Sequence, residues 1–96
     1  MYKFIEITYD NALDDYIDKL LEKAEIERYS KIPSIHTKWS EELRHLNNST
    51  WPGLDLMVIV ILENKKAVEF CDYLKKLKKE VDIEFRAVVM PVEEII

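Results

Sequence analysis

The sequence predicts an α+β domain of the ferredoxin-like type: a βαββαβ sandwich with a four-stranded antiparallel sheet and two helices on one face. Three observations predict it. Two stretches with apolar residues at helical spacing alternate with four stretches of strand composition. A length of 96 residues suits a single domain, residues 1–96. Nearly half the residues, 48%, are apolar and only one is glycine, so the chain can build a core and is neither disordered nor made of glycine-rich loops.

The elements follow in order. Tyr2 to Tyr9 mixes aromatic, β-branched and charged residues as a strand does. Asp10 and Asn11 are good helix N-caps, since their side-chain oxygens can accept from the free N–H groups of a first turn. Leu13, Tyr16, Ile17, Leu20, Leu21 and Ala24 then recur on one helical face. Ile26 to Thr37 reads as a second strand. Pro33 lacks a ladder donor and so places that strand at an edge or marks its end. Trp39 to Pro52 is polar and irregular, with a short helical turn expected in Ser40-Glu41-Glu42-Leu43-Arg44-His45-Leu46, capped by Ser40. Leu54 to Leu62 is the strongest strand. Asn64 is placed to cap a second helix, whose stripe is Ala67, Phe70, Cys71, Leu74 and Leu77. Lysines 75, 76, 78 and 79 suit that helix's C-terminal dipole and otherwise form a solvated face. Ile83 to Met90 is the last strand, ended by Pro91. The first and third strands are expected in the middle of the sheet.

The bulk chemistry narrows the function classes. A formal charge of −5 argues against a nucleic-acid partner, which needs a basic face, and against an anionic membrane surface. A single cysteine, Cys71, cannot close an intramolecular disulfide, so stability must come from packing, as in a reducing cytoplasm. MYKFIEITYD lacks a charged leader before a long apolar run, and the longest apolar run, Leu56 to Leu62, is far too short to span a bilayer. A soluble, cytoplasmic protein without membrane insertion is expected.

The third strand is apolar on both faces. Leu54, Leu56, Val58, Val60 and Leu62 point one way; Met57, Ile59 and Ile61 point the other. Val88 and Met90 in the last strand, and Phe4 in the first, extend that second face. Each large aliphatic side chain buried contributes roughly 1.5–3 kcal/mol. A cluster of them on a sheet face therefore needs a cover. The long loop could supply it, but that loop is polar. A second copy of the chain is the better-matched cover, with Met57, Ile59, Ile61, Val88 and Met90 at the interface. This argument does not set the number of subunits.

The residues with capacity for chemistry are few. His36, Glu41, Glu42 and His45 form the one cluster with divalent-metal chemistry, Glu42 and His45 sharing a helical face at a spacing of three. Against that stands the plainer reading of surface residues in a solvated loop. Trp39 and Trp51 bracket the loop and can stack on a ligand, anchor a protein partner, or pin the loop to the domain. Gly53 supplies a backbone angle that other residues avoid. Cys71 falls on an apolar stripe and reads as core rather than nucleophile. Spacing suggests no Ser-His-Asp set, so no catalytic residue is expected.

Phe85-Arg86-Ala87-Val88-Val89-Met90-Pro91-Val92-Glu93-Glu94-Ile95-Ile96 resembles the last strand of PII-like signalling proteins and its Pro-Val-Glu-Glu ending. Thr50-Trp51-Pro52-Gly53-Leu54 resembles a Trp-Pro-Gly turn of a divergent short PII-like branch, and Arg28-Tyr29-Ser30-Lys31-Ile32-Pro33 is compatible with that branch. CutA-type proteins share the fold and a similar ending. The resemblance implies a homotrimer with sheets facing inward and a ligand- or partner-facing loop from Lys38 to Pro52, with Lys38, Trp39, His45 and Trp51 as its candidate contacts. The PII proteins that bind ATP have a glycine-containing loop before the last strand and basic residues after it. Here Lys79-Glu80-Val81-Asp82 has no glycine and the sequence runs only to Ile96, so that nucleotide site is not carried over. The leading expectation is a non-enzymatic PII-like trimer that senses a small effector or regulates a protein. The alternative is a CutA-like trimer binding a divalent metal through His36, Glu42 or His45. A small ferredoxin-fold enzyme is the third.

Overall fold

Alternation in the strands and a four-residue rhythm in the helices build the core from opposite sides. The computed structural model describes residues 1–38, 44–45 and 54–96, with the backbone alone for residues 44–45. Strand β1 is Tyr2–Asp10. A 3-10 turn at Asn11–Leu13 leads into helix α1, Asp14–Lys23. Strand β2 is Ser30–Ile35, followed by two short strands, β3 at Thr37–Lys38 and β4 at Arg44–His45. Strand β5 is Asp55–Glu63, helix α2 is Asn64–Glu80 and strand β6 is Phe85–Pro91. The main sheet runs β2-β5-β1-β6 and every neighbouring pair is antiparallel. The first and third main strands are central, as the βαββαβ reading requires. Among the described residues, strands β3 and β4 pair with each other, as a small arm outside the main sheet.

In register, Ile5 lies opposite Val60, Ile7 opposite Val58 and Tyr9 opposite Leu56. All six are buried. Leu13, Ile17, Leu21 and Ala24 of the α1 region, and Ala67, Phe70, Leu74 and Leu77 of α2, cover this face and join them in one core with Phe85. Cys71 is half-buried against that core. Tyr16, read as part of the α1 stripe, is instead exposed, at the edge of the helix's apolar arc. No described helix is long and apolar enough to cross a membrane.

Several local boundaries differ from the sequence expectation. Asp10 does cap, its Oδ1 accepting from the Ala12 N–H at 2.8 Å, but it caps the 3-10 turn rather than α1 itself. Asn64 is the first residue of α2; Glu63 occupies the cap position with no side-chain cap hydrogen bond. The second strand begins at Ser30, not Ile26, because Ile26 ends the preceding helix. Its N–H donates to Leu21 O at 2.9 Å and the Glu25 N–H donates to Glu22 O at 3.0 Å. This is a Schellman closure, with Glu25 at φ 56° where glycine is usual and with Ile26 buried against the helix. Pro33 sits within the irregular register between Ile32 and Ile35 on edge strand β2, where its missing donor costs no central ladder bond. The last strand begins at Phe85 rather than Ile83. The helical turn expected across 40–46 is contradicted at Arg44 and His45, which are strand. Trp39, Ser40, Glu41, Glu42, Trp51, Pro52 and Gly53 lie outside the described residues.

Candidate functional site: the open sheet face and its groove

Because side chains alternate along a strand, the burial of Ile5, Ile7 and Tyr9 sends Phe4, Glu6 and Thr8 to the face without helices. Register extends that face sideways in rows. Phe4 lies between Ile61 and Met90, Glu6 between Ile59 and Val88, and Thr8 between Met57 and Arg86. Ile32 of β2 adds to the third row opposite Met57. Each residue assigned from sequence to the second face, Met57, Ile59, Ile61, Val88 and Met90, is therefore on it. Ile61, Met90 and Val88 are exposed at 45%, 44% and 38%, and Ile32 at 40%. Met57, Ile59 and Phe4 are half-buried. Within these three rows the face is apolar except for Glu6 in the middle row and Thr8 and Arg86 in the third, where Thr8 is already buried.

At one end of this face a groove of about 480 Å³ opens between Tyr2, Arg28, Tyr29, Ile59, Ile61 and Ile95. Its floor comes from β5 and its walls from the chain just before β2 and from the C-terminal segment. That segment runs beside the start of β1, with the Val92 N–H donating to Tyr2 O at 3.1 Å. Two tyrosine rings and one guanidinium give the groove the means to hold a small anion against an apolar floor. Its size falls within the roughly 300–1,000 Å³ of ordinary small-molecule pockets. Sequence reasoning did not single out this groove. Arg28 and Tyr29 fall in an expected strand and in the stretch compatible with the PII-like branch, and no local pattern connects them with Tyr2 or Ile95. The lead into β2 and the path of the C-terminal segment beside β1 bring them together.

Across the sheet, a polar knot fastens the groove's strand from behind. The Lys31 ammonium donates to Asp14 Oδ1 at 2.9 Å and to Asp18 Oδ1 at 2.7 Å, and the buried Tyr9 hydroxyl donates to Asp14 Oδ1 at 2.7 Å. Burial alone would raise the Asp14 pKa, but the hydrogen bonds from Lys31 and Tyr9 outweigh it and hold the carboxyl below its usual range. Lys31 is the mirror case. Burial would lower its pKa, and the bonds to Asp18 and Asp14 push it above the ordinary lysine value. Burial, then the bond to Asp14, drives the Tyr9 phenol far upward, so it stays a neutral donor. Every donor here is matched to a carboxylate, so the arrangement ties structure together rather than activating a nucleophile.

The loop residues assigned from sequence meet the structure only in part. Lys38 is exposed on β3. His45 is on β4, where its backbone pairs with Thr37, next to His36. The helix proposed to carry Glu42 and His45 is contradicted at His45, which is in a strand, and Glu42 is outside the described residues. Among the described residues no group of three or more His, Cys, Asp or Glu side chains could hold a metal ion. The donor set for a metal centre is thus not assembled in the described part of the chain.

No family model matches the chain, and no curated protein sequence matches it. Solved structures do. One is CPII from Thiomonas intermedia K12 bound to ADP and bicarbonate, with TM-score 0.71, 13% identity, and coverage of 97% of this chain and 89% of that one. The chain has the PII-like fold. A candidate PII-like signaling protein from Thermus thermophilus superposes at TM-score 0.67 with 18% identity, covering 93% of this chain and 84% of that chain. A DUF3240 family protein from Shewanella baltica superposes at 0.70 with 16% identity, covering 98% and 92%. The PII-like fold thus extends over nearly the whole chain at identities too low to transfer a site residue by residue.

Proposed function

We propose that this chain is a non-enzymatic regulatory domain that self-associates through its open sheet face, as a homotrimer, and senses a small anionic effector. The observation that carries the reading is the apolar field on that face, with Ile61, Val88 and Met90 each more than a third exposed in the single chain. Exposed apolar residues scattered singly need no explanation, but a contiguous field across three strands does. A second copy covers it without requiring any new element of the fold. The groove between Tyr2, Arg28 and Tyr29 opens at the margin of the same field, so an adjoining copy would add a wall to it. Occupancy of the groove would then be felt at the interface. A link from effector to assembly of this kind is what a sensor needs. The segment from Lys38 to Pro52, which includes strand β4, is the natural reporter to a protein partner.

The nature of the effector is guided by the solved neighbours, since CPII is described in complex with ADP, AMP and bicarbonate. Size-exclusion chromatography with light scattering should give a mass of three chains. Ile61→Lys and Val88→Lys should each lower it. A wild-type monomer at every concentration would overturn the assembly. Thermal-shift measurements with ADP, AMP and bicarbonate test the sensing. A ligand at a hundred times its Kd stabilises by about 2.7 kcal/mol, on the order of 10 °C for a domain of this size. Arg28→Ala should abolish that rise, and no rise with any of the three would overturn the sensing.

A further inference from the structure

The open face is not uniformly apolar, and the carboxylate in its middle row bears on how copies meet. Glu6 occupies the middle row of the face, on central strand β1, with Ile59 on one side and Val88 on the other. It is half-buried already in the single chain. Covering this face with any apolar surface would strip the remaining water from a carboxylate, a penalty of the kind that an interface must meet with an opposite charge.

The face carries the matching charge itself. Arg86 lies one row away on the neighbouring strand β6, opposite Thr8. The other charged strand residues of this face are acidic: Asp10 opposite Asp55 in the row next to that of Arg86, where all three have contacts within the chain, and Glu63 opposite Tyr2 at the far end. Strand β2 contributes Ser30 and Ile32 in the rows facing Ile59 and Met57, and no charge there. Among the described strand residues of the three central rows, then, the charges are one acid and one base, offset by one row and one strand.

We infer that Glu6 of one copy pairs with Arg86 of the next, and that this pair sets the register in which open faces meet. The inference rests on the self-association proposed above. A guanidinium has five N–H donors, so Arg86 can serve a partner's carboxylate in addition to the contacts it makes within its own chain. The pairing is self-complementary: each copy offers both halves, which a closed ring or a two-fold dimer can satisfy throughout. Purely apolar faces slide against each other, whereas a single buried charge pair penalises every register that leaves it unmatched.

Charge-swap variants of the full chain, read by native mass spectrometry and light scattering across a concentration series, test this. Glu6→Arg and Arg86→Glu should each raise the concentration for half-assembly by about thirtyfold or more. Glu6→Gln should weaken assembly in the same direction. The double variant Glu6→Arg/Arg86→Glu should restore assembly, because the pair is re-formed with its signs exchanged. Circular dichroism of each variant separates lost assembly from lost folding. A folded double variant that stays as dissociated as the single ones overturns the pair, as does a Glu6→Gln variant that assembles like the wild type. A monomeric wild type would instead remove the self-association itself, which distinguishes the two failures.

Discussion

Lys31 on edge strand β2 donates to Asp14 Oδ1 on helix α1 at 2.9 Å, although the two residues are 17 positions apart. Edge strands hold a sheet by one ladder only, and β2 is further weakened by the register shift around Pro33. The ammonium gives β2 a second anchorage, through the helix layer. Because Tyr9 donates to the same carboxylate oxygen, strand β1, helix α1 and strand β2 meet at one atom.

Those two donors should be energetically coupled. Tyr9→Phe and Lys31→Met should each destabilise by about 1–2 kcal/mol, the lysine's share being reduced by its partial exposure. The double variant should lose less than the sum, because each single change already leaves Asp14 short of a donor. Urea denaturation of the four proteins measures this, and strict additivity would show the two bonds to be independent.

The same carboxylate predicts a pH dependence with a definite sign. The folded Asp14 pKa lies below its unfolded value, so the stabilisation is fully present above roughly pH 4. It is lost as pH falls through the lowered folded value. An Asp14→Asn variant should therefore lack this part of the acid limb. Lys31 gives the alkaline counterpart: its folded pKa is raised, so its contribution holds below roughly pH 10.4 and disappears as pH rises through the folded value. Thermal melts of wild type and variant from pH 2 to 11 check both limbs.

The left-handed Glu25 is a site for stabilisation. A non-glycine residue at φ 56° carries a backbone cost of roughly 1 kcal/mol that glycine avoids. Glu25→Gly should raise the midpoint of urea unfolding accordingly. An unchanged or lower midpoint would mean that the glycine's larger unfolded-state entropy cancels the gain.

Isoleucines on opposite faces of the sheet should respond differently. Ile7→Ala, in the core at 0% exposure, should cost about 2–5 kcal/mol of stability. Ile61→Thr, on the open face, should cost little when the chain is monomeric and should mainly reduce assembly. Paired unfolding and light-scattering measurements separate the two effects.

Cys71 should react slowly. Burial, ahead of the opposing pull of Lys75, pushes its thiol pKa up, leaving little thiolate at neutral pH. Its rate with a disulfide reagent at pH 7.5 should be well below that of the urea-unfolded chain, and equal rates would contradict its place against the core.

Periodicity alone was enough for the order of the main elements and the assignment of Leu56, Val58, Val60 and Leu62 to one face and Met57, Ile59 and Ile61 to the other; the two central strands followed from the βαββαβ order. The order and the face assignment depend on spacings of two and three to four residues, which the chain displays directly. The second apolar face was legible for the same reason. Helix ends were less so: α1 stops at a Schellman closure built on Glu25, and without a glycine the residue type did not announce it. The groove of Tyr2, Arg28, Tyr29 and Ile95, the Lys31–Asp14–Tyr9 knot and the offset of Glu6 from Arg86 were decided only by tertiary structure. Each joins residues far apart in the sequence, and which of them become neighbours depends on how strands register and helices pack on them, a long-range quantity that no local spacing records.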